Sequence, residues 1–291
     1  DPEQLLPEGY AELLEEALLA ASTRAVTYLR SRFVSSRPAG VGSGGDPSRE
    51  FDVVVEGIVY RTLREYLGDV RLVSEETGDL GSGPWLAVVD PVDGSLNFES
   101  GIPIASVSIG IAKESDRAVV GDLEAAVVSE VFRDAMYYYD RARGFRSIGV
   151  KVVRRPSPSG IILGYFEDLE SYLPYLNFAK AIGAKPRMRS LGSAALDIVY
   201  VSLGVALGFI DARAKLRNVD VAASLAIANH LGSRAYLCDG RDAMTIPVSR
   251  LLKVGCIVVG YDDRLAKTLL GSVFSRHSGG GGNSQAEASG V

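Results

Sequence analysis

The sequence has two cysteines and two histidines among its 291 residues. Cys238 and Cys256 are too few for a disulfide framework or a four-thiolate zinc site, and His230 with His277 cannot form a three-histidine zinc centre. A single bridge between the cysteines is open; the reading favoured from sequence is a pair of reduced core thiols. Long apolar runs are missing as well. Stretches such as Ile257–Val259 fall far short of the roughly 20 residues of a membrane-spanning helix, so no membrane partner is expected. A basic stripe is absent too. The net charge is −5, and short clusters such as Arg141, Arg143 and Arg146 are not the footprint of a nucleic-acid binder. No basic start with an apolar core and a small-residue cleavage site opens the chain, so the expectation is no secretory signal and a cytoplasmic location. The initiator Met is lacking, which leaves the natural N-terminus open.

What is present is the balance of a soluble globular protein, 47% apolar and 23% charged. The length allows one large core or two joined lobes. Mild acidity suits an enzyme that gathers carboxylates around metal ions. Apolar residues at Leu14, Leu18, Ala21, Ala25 and Leu29 predict a helix over Glu8–Phe33 with one buried face, and Val55, Val59, Leu63 and Tyr66 predict a second from about Val53 to Leu67. Between them Ser35–Glu50, rich in Gly, Ser and Pro, reads as a loop. Arg71–Ser74 and Trp85–Val89 read as short strands. Ile104–Ile148 reads as an antiparallel sheet in which Tyr137, Tyr138 and Tyr139 alternate in burial. The segment RRPSPSG, Arg154–Gly160, is the candidate lobe junction. It divides an N-terminal lobe (1–153) from a C-terminal lobe (154–277) of alternating strands and helices. The remainder, 278–291, has the composition of a disordered tail.

The chemistry concentrates in VVDPVDGSLNF, Val88–Phe98. An apolar strand delivers Asp90, Pro91 interrupts the ladder, and a tight turn can bring Asp93 beside Asp90. Gly94 permits close backbone approach, and a helical turn starting there would aim N–H groups at a phosphate. Paired carboxylates repel unless divalent cations lie between them. A second acidic pair, Glu75 and Glu76, follows the strand at Arg71–Ser74. Asp52 and Asp220 each open a helix, and taken alone each reads first as a helix N-cap. The joint occurrence of these residues, each at an element end, is what points to a site.

These motifs, VSEETG, DPVDGSLNF and NVDVAAS, together with GSAALDIVYVSLG (Gly192–Gly204), resemble the inositol monophosphatase and fructose-1,6-bisphosphatase superfamily of metal-dependent, lithium-sensitive phosphatases, and most closely its archaeal dual-activity branch. The resemblance covers roughly Leu14–Leu269. It implies a layered α/β fold, an αβαβα sandwich with two mixed or antiparallel sheets between helix layers. It implies two or three Mg²⁺ ions per site, replaceable by Mn²⁺ and opposed by Li⁺. Glu75, Asp90 and the Val92 carbonyl would hold one ion, Asp90, Asp93 and Asp220 a second, and Glu76 would help a third. Asp52 and Ser95 would position or deprotonate the attacking water, with Glu75 serving the same catalysis. The amides of Gly94 and Ser95 would bind the phosphate. Gly192, Ser193 and Ala194 would line the leaving-group pocket, with Asp211 a further candidate. The substrate implied is a small phosphorylated polyol or sugar, and the assembly a homodimer.

Two departures from the family pattern stand out. Ser95 replaces the usual Thr and keeps the hydroxyl. The family's WDxAAG is here Val219-Asp220-Val221-Ala222-Ala223-Ser224, which keeps the ligand and loses the Trp. Arg189, Arg213, Lys215 and Arg217 could each reach a second phosphate of a sugar bisphosphate or serve as surface charge. VGSGGD, Val41–Asp46, lacks the Lys-Ser/Thr of a P-loop and reads as a mobile loop, with Asp46 as a possible metal ligand. A haloacid-dehalogenase-like mechanism is disfavoured, because that motif spaces its aspartates as D-x-D, whereas Asp90 and Asp93 are spaced D-x-x-D. A nucleotide phosphatase of the same superfamily and a non-catalytic protein-binding role are the alternatives.

Overall fold

Leu14, Leu18, Ala21, Ala25 and Leu29 are all fully buried, on one face of helix α1 (Tyr10–Ser31). The structure, a computed structural model, describes residues 9–31, 38–41 and 47–274. After α1 come β1 (Pro38–Val41), β2 (Pro47–Arg49), α2 (Glu50–Leu67), β3 (Val70–Ser74), β4 (Gly78–Leu80) and β5 (Trp85–Asp93). Next are α3 (Ser95–Ser100), β6 (Ser106–Lys113), β7 (Leu123–Glu130), β8 (Ala135–Asp140), β9 (Gly144–Gly149) and β10 (Ile161–Gly164). The chain then forms α4 (Leu169–Ala181), β11 (Arg187–Arg189), α5 (Ala194–Ser202) and β12 (Gly208–Asp211). It finishes with α6 (Asn218–His230), β13 (Arg234–Leu237), β14 (Ile257–Gly260) and α7 (Asp263–Phe274).

Two mixed sheets organise these elements. The seven-stranded sheet runs β4-β3-β5-β6-β7-β8-β9, and the five-stranded sheet runs β11-β10-β12-β14-β13. Helices α1 and α2 pair with each other and cover one face of the larger sheet. Val55, Val59 and Leu63 of α2 are fully buried in that layer, as their spacing predicts. Helices α5 and α6 touch both sheets, whereas α4 and α7 pack only on the smaller one. The order is therefore helices, sheet, helices, sheet, helices, the αβαβα sandwich expected.

Helix α6 shows how this position shapes a sequence. Every residue from Asn218 to Ala228 is buried, because a helix between two sheets has no solvent side. Its run VAASLAIA is small and apolar all round, which lets both sheets approach. The same two-sided cover corrects the expectation for the tyrosines: Tyr137 and Tyr138 are both buried, at 1% and 0% exposure, since both faces of the larger sheet are packed.

Two further expectations are corrected. The segment read as a loop over Ser35–Glu50 contains an antiparallel pair, β1 with β2. Its glycine-rich centre, with Asp46, lies outside the described residues, as do His277 and the tail. Cys238 and Cys256 are not reduced thiols but a disulfide. The residue after β13 and the residue before β14 stand opposite each other, with Cys238 N–H donating to the Cys256 carbonyl at 2.9 Å. Antiparallel neighbours bring their Cα atoms within bridging distance, here 5.2 Å, a pairing that sequence separation does not reveal. Closing a loop of this length is worth about 3 kcal/mol. The Cys238→Ser, Cys256→Ser protein is expected to lose about that much unfolding free energy in denaturant titration, and reductant should lower the wild-type midpoint toward the variant's.

Candidate active site

Strand β5 carries the centre of the site. It pairs antiparallel with β6, Asp90 opposite Ser108 and Asp93 opposite Ser106. Three steps along β5 therefore match two along β6, so one extra residue is accommodated in a bulge. Residues three apart in a regular strand face opposite sides; the bulge returns Asp93 to the side of Asp90. Pro91 sits in this irregularity, where its missing N–H costs no ladder bond. Val92 N–H turns in to the Asp90 carboxylate at 3.1 Å. Gly94 then adopts φ 93°, and a Cβ there would lie 3.0 Å from the carbonyls of Gly192 and Ile104. Only glycine fits this left-handed turn, which starts α3 with Ser95.

Two helices deliver the remaining acids by one device. In α2 and in α6 the aspartate is the third helical residue, and its carboxylate reaches back to the N–H of the arginine before the helix. Arg49 N–H donates to Asp52 at 3.3 Å, and Arg217 N–H donates to Asp220 at 2.8 Å. Neither is the N-cap itself, which corrects that reading of the sequence. The turn after β3 is held by buried Glu56, which accepts from Ser74 Oγ and, at 3.3 Å, from Thr77 N–H, and so presents Glu75 and Glu76.

Asp52, Glu75, Glu76, Asp90, Val92, Asp93, Gly94, Ser95 and Asp220, together with Arg49, line one cavity of about 320 Å³. Ligand oxygens of Glu75, Asp90 and Asp220 lie within 4.8 Å of one another. Asp220 Oδ1 is buried with no hydrogen-bond partner among the described residues. A hard cation with oxygen ligands fits such a donor set. Glu75, Asp90, Asp93, Asp220 and the Val92 carbonyl are the groups that would hold it, with Glu76 beside them.

Burial dominates the titration of these acids. Asp52 is pushed up to about 7 by burial, against the Ser95 hydrogen bond, with the Glu76 charge adding to the rise. Burial lifts Asp93 to about 6 despite bonds from Ser193 and the Ala195 and Ala194 amides. Asp90 and Asp220 are raised by burial first and then by neighbouring carboxylates, Asp93 foremost for Asp90 and Glu75 for Asp220. Ser95 Oγ lies 2.8 Å from Asp52 Oδ1 and 2.7 Å from the Val92 carbonyl. One hydroxyl proton serves one acceptor, so both contacts are satisfied together when Asp52 carries a proton and gives it to Ser95.

The residues that the resemblance places in the leaving-group pocket are not among those lining the acidic cavity. Ser193 donates to Asp93 at 2.6 Å and Ala195 N–H at 2.8 Å, so the start of α5 holds Asp93 and does not border the cavity. Ser193 and Ala194 are fully buried, and Gly192 packs on Asn97 of α3. Asp211 is buried against Arg213 at 2.8 Å; Arg213 also binds Glu167 at 2.6 Å and stacks on Tyr165. Arg189 bonds the carbonyl of Met188. None of these lines the cavity. Sequence reading missed Arg49, hidden in the Gly/Ser/Pro stretch, and Asp197. The latter is a fully buried carboxylate on α5 with both oxygens unpartnered among the described residues. Burial and then the Asp93 charge raise its pKa. Its signal was an acid inside the apolar run AALDIVYV.

The model of the inositol monophosphatase family matches residues 10–277. An inositol-1-monophosphatase of Aeropyrum pernix is 32% identical over 269 residues, 90% of this chain and 97% of that protein. A fructose-1,6-bisphosphatase/inositol-1-monophosphatase of Thermococcus kodakarensis is 32% identical over 233 residues, 79% of this chain and 84% of its own. A crystal structure described as an inositol monophosphatase–fructose 1,6-bisphosphatase superposes with a TM-score of 0.73 at 25% identity, covering 89% of this chain and 98% of that one.

A raised carboxylate pKa has a definite sign in stability. The contribution of Asp52 is full below its unfolded value near pH 4 and is lost as pH rises through about 7. In EDTA, Asp52→Asn is therefore expected to gain melting temperature relative to wild type between pH 5 and pH 8. Thermal unfolding of both proteins across that interval checks it, and a gap that narrows with rising pH contradicts it.

Proposed function

We propose, for a chain that belongs to the inositol monophosphatase family, a Mg²⁺-dependent phosphomonoesterase acting on inositol monophosphate and fructose 1,6-bisphosphate. Family membership supports phosphoric monoester hydrolysis. The names of the Aeropyrum and Thermococcus relatives support these two esters. The observation that carries the reading is the cavity ringed by six carboxylates, with Asp220 Oδ1 unpartnered beside Glu75 and Asp90.

Mg²⁺ held there would neutralise the phosphate and lower the pKa of bound water. The chain's own groups supply position and proton transfer. Ser95 and Asp52 form a hydrogen-bonded pair at the cavity wall, suited to orient a water and take its proton. Asp52, a buried carboxylate bonded to Ser95, is the group placed to accept that proton. Gly94, with no side chain, leaves the turn before α3 open to a phosphate. Asp93, fixed by Ser193 and Ala195, keeps its place while substrate turns over. A cytoplasmic homodimer belongs to the same reading and is supported by family membership alone.

Phosphate release from inositol 1-phosphate and from fructose 1,6-bisphosphate, measured side by side with Mg²⁺, is expected for both esters. It should vanish with EDTA and in Asp93→Asn. Hydrolysis of neither ester by metal-loaded protein overturns the assignment, and turnover of 3′-phosphoadenosine 5′-phosphate or NADP in its place would move the chain to a nucleotide branch. Asp52→Asn should lower kcat by about 10²–10⁴-fold; an unchanged kcat removes Asp52 from proton transfer.

A further inference from the structure

The metal-ligand candidates come from two sides of the sandwich. Glu75, Asp90 and Asp93 belong to the seven-stranded sheet and the turn that leaves it, and Asp220 belongs to α6. One residue touches both sides. Arg217 donates through its backbone N–H to Asp220 Oδ2 at 2.8 Å, and through Nη1 to Glu75 Oε1 at 2.8 Å. Its side chain is only 8% exposed, so the positive end of the ion pair is shielded from solvent.

The backbone that carries Arg217 is itself fixed. It pairs with Lys253 in an isolated antiparallel bridge. Leu216 accepts from Val254 N–H at 2.9 Å, and Asn218 N–H donates to Leu252 at 3.0 Å. The fully buried Asn218 side chain donates to the carbonyls of Pro247 and Arg250 and accepts from Leu252 N–H. All of these partners lie inside the loop closed by the Cys238–Cys256 bridge. Arg217 thus stands on a braced segment, and its guanidinium reaches out from it to Glu75.

Glu75 is the more exposed of the two acids. It sits in a turn, its side chain is 23% exposed, and the charges of Asp90 and Asp220 oppose its own. Left alone, such a side chain moves toward water. We propose that Arg217 is a positioning residue of the metal site, holding Glu75 against this repulsion and in register with Asp220, so that metal affinity depends on it without its touching the ion. A carboxylate has about four lone-pair sites, so the hold on Oε1 leaves capacity for a cation. Partners of this kind around metal ligands are worth about 10–100-fold in affinity or activity. The inference rests on the reading of the cavity as a Mg²⁺ site.

The test is Mg²⁺ binding by titration calorimetry to the full chain, as wild type, Arg217→Met and Arg217→Lys, with circular dichroism as the control for folding. Arg217→Met is expected to weaken Mg²⁺ binding by about tenfold or more. Arg217→Lys should recover part of the loss, because it keeps the charge and loses the planar fork. Saturating Mg²⁺ should return most of kcat in both variants, a split between metal requirement and turnover that general damage to the fold would not produce. Unchanged affinity in Arg217→Met overturns the inference, and tighter binding overturns it in favour of a competing counter-cation. Failure of both variants to fold overturns it too, by making Arg217 a structural element. Wild-type protein that binds no Mg²⁺ refutes the functional reading and this inference together, whereas wild-type binding with an unaffected variant refutes the inference alone.

Discussion

Six carboxylates around one cavity repel each other, and much of the surrounding structure answers that repulsion. Two unit charges 4 Å apart oppose each other by about 4 kcal/mol at an effective dielectric of 20. Asp90, Asp93 and Asp220 are at most 8% exposed, so water does little to relieve it. The chain responds in three ways. Backbone and side-chain N–H and O–H groups are aimed at individual acids, as with Asp93 at the start of α5. Arg217 provides a buried positive charge beside Glu75 and Asp220. Protons are retained, which is why Asp52, Asp90, Asp93 and Asp220 all titrate above the ordinary carboxylate range. A divalent cation replaces the third response, since it binds the deprotonated form.

Such a cluster needs a rigid frame, and the five-layer sandwich provides one. Strand β5 lies inside the larger sheet, flanked by β3 and β6, and its bulge is fixed by the pairing on both sides of it. Helix α6 is buried between the sheets, so the acid at its start cannot swing away. The start of α5 locks Asp93 at a distance of 2.6 Å from Ser193. The acids therefore stay close by virtue of packing on elements that have no freedom to separate. The stability cost of the site is carried by the apolar layers on either side.

How much was legible beforehand varied with the range of the interaction. The stripes on α1 and α2 could be read because a helix face is set by spacing along one segment. DPVDG could be read as a tight turn that brings two acids together because Pro and Gly constrain the backbone locally. The two-strand pair around the glycine-rich stretch, the Cys238–Cys256 bridge and the burial of both Tyr137 and Tyr138 could not. Each depends on which element comes to lie opposite, and no local pattern encodes that. Gly192, Ser193 and Ala194 were expected in the leaving-group pocket. The fold also turns the start of α5 onto Asp93, through Ser193 and the Ala195 amide, a contact that no local pattern announced.

The sequence by itself determined the acids, their order and the kind of turn or helix start that carries each one, because capping geometry, glycine tolerance and apolar periodicity act within a few residues. It did not determine that Asp90 and Asp93, three apart on a strand, share a side, since that follows from a bulge measured against β6. Nor did it determine that Arg217 serves Glu75, 142 positions earlier in the chain, and is not a free surface charge. Charge pairing acts through space and at short range. Which arginine meets which carboxylate is decided only when the layers are stacked and every buried charge has to find its partner.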